Sequence, residues 1–456
     1  MLIGRRTELE QLNQAYANGD FQLTVVSGRR HIGKTFLVSE FVKDKSAVYF
    51  SAKEVNDRCN LDAFAVALGC PGEHFENWDD AFNYFGAKLR DKRTILVIDN
   101  FTDACITGRE FAMALQKNIE KYFRSKNLFL IICGNHAAAL EREVFGNKAP
   151  LHDDVTLTIH LDCLSYQEAC PFMCGFSDED KVRLYSCIGG TPLYLKQIDS
   201  NEFFEENIIR LFFQPTGFIY NDIFMLLRKE LIGPVVYNSI LRSIANGKTH
   251  LRDIVEEIGE EKTKVSKYCK VLMDMDILGR TVPYGKDAEN SRKNPYYFKD
   301  NAHLFWYRFV FDNDLAIAKG EGAKLAVDKV FGSALDTHIV NLTFDRICLQ
   351  YYNHLSKIGN LSFTPNFIGL IDDSAGADVI VSDKNGQSII AVQCLWNKPA
   401  VGAAELNDFV EHYGEFADNP QYSVISANGY KTDAMRLADS RNDIELLGLD
   451  DLEAKR

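Results

Sequence analysis

No apolar run in this 456-residue chain approaches the roughly 20 residues that cross a bilayer as a helix. The opening stretch, MLIGRRTELEQL, is charged from Arg5 and holds no apolar core of a secretory leader, so a cytoplasmic protein is expected. Positive charge is in deficit. The net charge of -13 rules out a molecule that binds polyanions with its whole surface, and any nucleic-acid contact must come from a local basic patch. A disulfide framework is also missing. The 11 cysteines are odd in number and scattered from Cys59 to Cys394, mostly within apolar runs, which suits a reducing compartment. The tightest group, Cys163, Cys170 and Cys174, has no histidine beside it, and buried thiols are the plainer reading than a zinc site. Proline is thinly spread, with 11 in all, and the length exceeds one ordinary core, so two or three globular domains are expected.

What is present begins with a phosphate cradle. Residues 21–28, FQLTVVSG, read as a strand buried on both faces. GRRHIGKT follows, Gly28 to Thr35, and then a helical apolar pattern at Phe36, Leu37, Phe41 and Val42. This is G-x-x-x-x-G-K-[ST] in the strand–loop–helix setting that the motif requires. Gly28 and Gly33 let the backbone curl, so that the N–H groups of the loop, through Arg29, Arg30, His31 and Ile32, face phosphates. Lys34 is expected to reach the β- and γ-phosphates, and the Thr35 hydroxyl to bind Mg2+. A glycine turn with an incidental lysine would not explain why all four fixed positions agree. The apolar run TILVID ends at Asp99, placed to hold magnesium through water. Asn100 follows, where many nucleotide-hydrolysing proteins carry a second carboxylate; it can orient a water but cannot take its proton. A third apolar strand, Leu128 to Cys133, leads to Asn135, which either senses the γ-phosphate or closes a turn. Strands alternating with helices over residues 1–160 predict a parallel sheet covered on both sides.

These pieces, in order, resemble the prokaryotic (archaeal-type) P-loop ATPases of the AAA+ superfamily. They are IGRRTEL (Ile3–Leu9), SGRRHIGKT (Ser27–Thr35), VIDNF (Val97–Phe101), IICGNH (Ile131–His136), APL (Ala149–Leu151), GGTPLYLK (Gly189–Lys196) and FWYRFV (Phe305–Val310). The resemblance implies ATP as the ligand. It also exposes departures: the family usually has Asp-Glu where Asp99-Asn100 stands, and an aromatic-Gly-Arg after the Pro-Leu pair, where this chain has His152, Asp153 and Asp154. An arginine acting on the transferred phosphate is worth roughly 10³–10⁵ in rate.

Residues 235–300 show three helical patterns and then two short strand-like pieces, the order of a winged helix. The third helix carries Lys262, Lys264, Lys267 and Lys270, and the wing Arg292 and Lys293. Such a face either contacts DNA or is simply solvated, and Glu256, Glu257, Glu260 and Glu261 nearby favour the second. The last third is similar to the PD-(D/E)xK nuclease-type core that this family often appends. Asp378 takes the aspartate position and Asp345 that of an upstream helix acid, but the E-x-K position reads Gln393-Cys394-Leu395, a poor metal ligand and no lysine.

The expected architecture is α/β: a P-loop NTPase parallel sheet over 1–160, a helical lid over 161–232, a winged helix over 233–318 and a degenerate restriction-endonuclease-like α/β domain over 319–456. The expected function is Mg2+-ATP binding with impaired hydrolysis, a nucleotide-dependent switch with DNA, a protein partner or a second copy of the chain as candidate associates. The alternative is an active ATPase that remodels DNA or protein. Nuclease activity is expected to be absent.

Overall fold

A computed structural model describes residues 2–90, 92–107, 110–230, 233–282, 284, 294–371, 378–414 and 417–453. The chain divides into two compact units: Met1–Asp162 with Asp274–Asp276, and Cys163–Met273 with Ile277–Arg456.

The first unit is built on five strands, β1 (Gln22–Ser27), β2 (Ala47–Ser51), β3 (Thr94–Asp99), β4 (Leu128–Gly134) and β5 (Leu157–His160). They pair in the order β2-β3-β4-β1-β5, every pairing parallel. Helices between the strands cover both faces, which is why the inner strands read as unbroken apolar runs; β4 is buried along its whole length. One layer of that cover is aromatic: Phe50, Phe64, Trp78, Phe82 and Phe111 interlock, Trp78 meeting Phe111 edge-on at 4.6 Å between centroids. Register aligns Ser27 with Gly134 and Ser51 with Asp99, so the carboxyl ends of β1 to β4 share one rim. In open parallel sheets that rim, where the strand order reverses, is where ligands bind.

In the second unit, helices Asp178–Ile188, Phe204–Phe212 and Phe218–Glu230 precede three more at Pro234–Ala245, Leu251–Ile258 and Lys262–Asp274, and then an antiparallel ribbon of β6 (Leu278–Arg280) and β7 (Tyr296–Phe298). This is the expected winged-helix order. The third helix turns Val265, Cys269 and Leu272 inward and leaves Lys262, Lys267 and Lys270 exposed. Arg292 and Lys293 lie outside the described residues. The GGTP stretch has a steric origin: a Cβ on Gly190 would lie 2.0 Å from the Leu164 carbonyl oxygen, and one on Gly189, at φ 73°, 2.0 Å from Asp300 Oδ1. Thr191 Oγ1 donates to Asp300 Oδ2 at 2.6 Å, closing the turn against a fully buried carboxylate.

The C-terminal part packs helix Asn341–Lys357 on a mixed sheet ordered β12-β11-β10-β9-β8. Strands β8 (Phe367–Leu370), β9 (Val379–Ser382) and β10 (Ser388–Leu395) form an antiparallel meander, and β11 (Asn419–Ser426) and β12 (Ile444–Leu447) add in parallel. The turn DKNG joins β9 to β10: Asp383 Oδ1 accepts from the backbone of Asn385 and Gln387, and Gly386 supplies φ 69°.

Candidate functional site

The loop from Gly28 to Lys34 is a chain of left-handed turns. Gly28 has φ 140°, His31 67° and Gly33 97°, and a Cβ on Gly28 would come 2.5 Å from the Leu161 carbonyl oxygen. Such alternation points successive N–H groups into one concavity, an anion nest at the start of helix Lys34–Val42. Lys34, buried to 8% exposure, spans the concavity and donates to the carbonyls of Gly28 (2.8 Å) and Arg29 (2.7 Å). Arg5 braces the loop from behind: its guanidinium donates to the Ile32 carbonyl at 3.2 Å and to that of Asp162. The Arg5 of IGRRTEL is thus a loop support, a role invisible in the motif itself.

Across the rim, Thr35 Oγ1 donates to Asp99 Oδ2 at 2.8 Å. Hydroxyl and carboxylate already face one point, and a hard oxygen pair of this kind suits Mg2+, which keeps several of its waters. Two further groups fix Asp99. The Tyr49 hydroxyl on β2 donates to Oδ2 at 2.8 Å, and the Asn100 backbone N–H to Oδ1 at 2.9 Å. Burial and the Asp99 charge push the Tyr49 phenol well above its ordinary range, so it stays a donor. Tyr49 is absent from the sequence-based set; the signal for it was the alternation that puts Tyr49 and Ser51 on one face of β2.

Asn100 has φ 53°, a backbone region that asparagine tolerates better than most residues. Its Nδ2 donates to Ser51 Oγ (3.2 Å) and the Ala52 carbonyl (3.4 Å), tying the amide to the end of β2. Asn135 accepts on Oδ1 from Thr102 Oγ1 at 3.0 Å, which sets the orientation of its amide just past β4. Beside these lies a group that sequence reading missed: Glu54, Asp103 and His136, from three separate elements, converge to within 4.8 Å. Glu54 also pairs with Arg30 of the loop at 3.4 Å. The segment after Leu151 has become structural, with Asp154 buried and bonded to Arg124 at 2.5 Å. Burial still holds the Asp154 carboxyl above its usual range despite that cation.

In the C-terminal domain, Asp345 and Asp378 come together, as the sequence reading expected, but their third neighbour differs. Cys394, the middle residue of the Gln393-Cys394-Leu395 triplet, lies within 4.8 Å of both carboxylates, and its backbone N–H donates to Asp378 Oδ2 at 2.7 Å. Strand alternation sends Gln393 and Leu395 to the other face, where Leu395 joins the apolar layer of Leu406 and Phe409. Burial, and the neighbouring Asp378 charge, push the Asp345 carboxyl up to about 7; burial pushes Asp378 up to about 6. On the third helix of the winged-helix region, Lys264 is engaged with Glu260 at 2.8 Å, whereas Lys267 is exposed.

Comparison with known proteins bears on the domains that carry these residues. Residues 2–198 match the family described as an ATPase domain predominantly from Archaea, and residues 371–454 match a restriction endonuclease family. An uncharacterized protein of Methanocaldococcus jannaschii is 25% identical over 404 residues, spanning 87% of this chain and 88% of its own. Among solved structures, a Walker-type ATPase of Pyrococcus abyssi superposes with a TM-score of 0.52 at 15% identity, over 67% of this chain and 96% of that one, a likeness of fold. The ORC2 protein of Aeropyrum pernix, solved with ADPNP and ADP, gives a TM-score of 0.47 at 13% identity, over 69% and 94%.

Proposed function

We propose that this chain, an archaeal-type P-loop ATPase domain joined to a restriction-endonuclease-family domain, is a switch operated by Mg2+-ATP binding, with hydrolysis slow. The observation that carries the reading is the contrast at the rim. The binding parts are complete: the curled loop, Lys34 across it, and Thr35 facing Asp99. The water-activating part is an amide already occupied by Ser51 and Ala52. Loop N–H groups, Lys34 and magnesium supply affinity without a general base. In this reading Thr35 is the direct magnesium ligand, Asp99 acts through a water, and Asn135 senses the γ-phosphate.

A working division places a lid at 161–232, a winged helix at 233–318 and an inactive nuclease-like domain from 319. The lid is bonded to that last domain: Gln350 Oε1 accepts from the Tyr166 backbone at 2.8 Å, the Leu452 carbonyl accepts from Gln167 at 3.1 Å, and Thr343 Oγ1 donates to Ser186 Oγ at 2.5 Å. Lys262, Lys267 and Lys270 offer a DNA-facing surface, with Lys264 at its edge.

One observation favours the alternative of an active ATPase: Glu54, paired with Arg30 and close to Asp103 and His136, is a carboxylate near the loop that Asn100 does not replace. Calorimetry and steady-state turnover on the full chain separate the two. The switch reading expects ATP binding with magnesium and turnover far below the roughly 10 s⁻¹ typical of enzymes. Turnover at that level, abolished in Glu54→Gln, would establish the alternative.

A further inference from the structure

We propose that His160 is a positioning residue for the nucleotide loop: it joins Ser27, at the mouth of the loop, to Asp276, and so makes nucleotide affinity depend on a stretch of chain just past helix Lys262–Asp274. The inference rests on the reading of Gly28–Thr35 as an ATP site. Residues 160–162 form the bed on which that loop begins. In parallel register Ser27 lies beside His160, and the Leu161 N–H donates to the Ser27 carbonyl at 2.9 Å. The Leu161 carbonyl oxygen is the atom that a Cβ on Gly28 would strike, and the Asp162 carbonyl shares the Arg5 guanidinium with that of Ile32. The His160 side chain adds to this bed. Its Nδ1 lies 3.0 Å from Ser27 Oγ, and its Nε2 lies 3.1 Å from Asp276 Oδ2 and 3.6 Å from Asp162 Oδ1.

Asp276 is placed for this contact. Asp274–Asp276 belongs to the first compact unit, although the chain on either side of it belongs to the second. Asp276 also takes a left-handed backbone, at φ 56°. Among the described residues, the other non-glycine positions that do so are Arg5, His31 and Asn100, all at the nucleotide site. Such backbone persists where surrounding contacts over-determine it, and aspartate is among the residues that tolerate it. The charges facing the ring are those of Asp162 and Asp276, and β1 presents the neutral Ser27 hydroxyl. The two carboxylates push the imidazole up to about 9, against the opposing effect of burial, so at neutral pH both ring nitrogens carry protons. Nδ1–H then donates to Ser27 Oγ, and Nε2–H to Asp276. When the ring loses a proton, the carboxylates keep the remaining one on Nε2, and Nδ1 becomes an acceptor. The Ser27 hydroxyl must then turn its own proton toward the ring, and the cation at the foot of the anion nest is gone. Both changes weaken the loop's grip on phosphate.

The test is calorimetry of Mg2+-ATP binding to the full chain at low ionic strength, from about pH 7 to about pH 10, which spans the His160 transition. Circular dichroism at each pH checks the fold. Affinity should fall roughly 2- to 10-fold through a midpoint near pH 9, the worth of about one hydrogen bond. Asp276→Asn keeps a residue that tolerates the left-handed backbone and removes the carboxylate nearest the ring. It should move the midpoint down by at least about one pH unit, a change that a packing role alone would not produce. His160→Gln, neutral throughout, should bind ATP more weakly than the native chain at neutral pH and lose the fall. A native affinity that does not vary with pH, a midpoint unmoved in Asp276→Asn, or a fall that persists in His160→Gln would each overturn the proposal and leave the ATP site standing. Absence of ATP binding at every pH would overturn both, so the two failures are distinguishable.

Discussion

Replacing Asn100 by glutamate tests the switch reading most directly, because the structure sets both the gain and the cost. A general base positioned on the attacking water contributes typically about 10²–10⁴ in rate. Asn100→Glu should raise single-turnover hydrolysis of Mg2+-ATP by an amount in that range, less whatever misplacement costs. Misplacement is expected, because position 100 has φ 53° and its side chain is bonded to Ser51 Oγ and the Ala52 carbonyl. A left-handed residue other than glycine, asparagine or aspartate costs about 1–2 kcal/mol, and the loss of each hydrogen bond about 1 kcal/mol. The variant should therefore lose roughly 3–4 kcal/mol of a stability of order 5–15 kcal/mol and remain folded. Asn100→Asp separates the two effects: it tolerates the left-handed backbone, so its cost is confined to the amide hydrogen bonds that a carboxylate cannot donate, up to about 2 kcal/mol, and it places a carboxylate one methylene short, so a smaller rise is expected. The assay is rapid-quench hydrolysis at saturating ATP, with affinity measured by calorimetry on the same samples. If both variants bind ATP with native affinity and neither exceeds the native rate, Asn100 is not what limits hydrolysis, and the reasoning fails.

Lys34→Ala removes a charged donor to the phosphates, worth about 1.5–3 kcal/mol, so ATP affinity should fall by roughly 10- to 100-fold in calorimetry. Arg124→Ala leaves the Asp154 carboxylate buried without its cation; breaking a buried pair costs about 3–5 kcal/mol, and the half-exposed arginine makes roughly half of that the expectation. The sign with pH follows from the raised Asp154 carboxyl: stability is fully present below the unfolded value and is lost as pH rises through the folded one. The variant's deficit in urea melts should thus be larger at pH 8 than at pH 5. Lys267→Glu with Lys270→Glu should flatten the salt dependence of duplex-DNA binding by about one unit of log–log slope for each phosphate no longer neutralised; no native binding at low salt would leave these lysines as a solvated face.

The nucleotide centre was legible where it is local. The cradle is eight consecutive residues, and strands buried on both faces announce themselves as apolar runs, so Asp99 and Asn135 could be placed from their position after such runs. What escaped was non-local. Arg5 reaches Ile32 across 27 positions, and Glu54, Asp103 and His136 meet only because β2, β3 and β4 end on one rim. Neither carries a spacing that a linear pattern records. In the C-terminal domain the pattern drew attention to Gln393 and Leu395. The strand presents the residue between them, Cys394, to Asp378.

Two positions that depart from the pattern of the resembling ATPases, Asn100 and Asp154, share a physical property. A site that decays without replacement leaves buried polar groups unsatisfied, each at a cost of about 1–3 kcal/mol. Here each altered position has a partner. Asn100 bonds Ser51 and Ala52, and Asp154 bonds Arg124. Placing a glutamate at 100 or an arginine at 154 would break an interaction the fold uses, so such a change must overcome stability as well as supply chemistry. The loop from Gly28 to Thr35 has no such substitution: its glycines and Lys34 hold the shape that binding needs. Lys34 lies across an anion nest and Thr35 faces Asp99, and those two arrangements are the strongest ground for nucleotide binding.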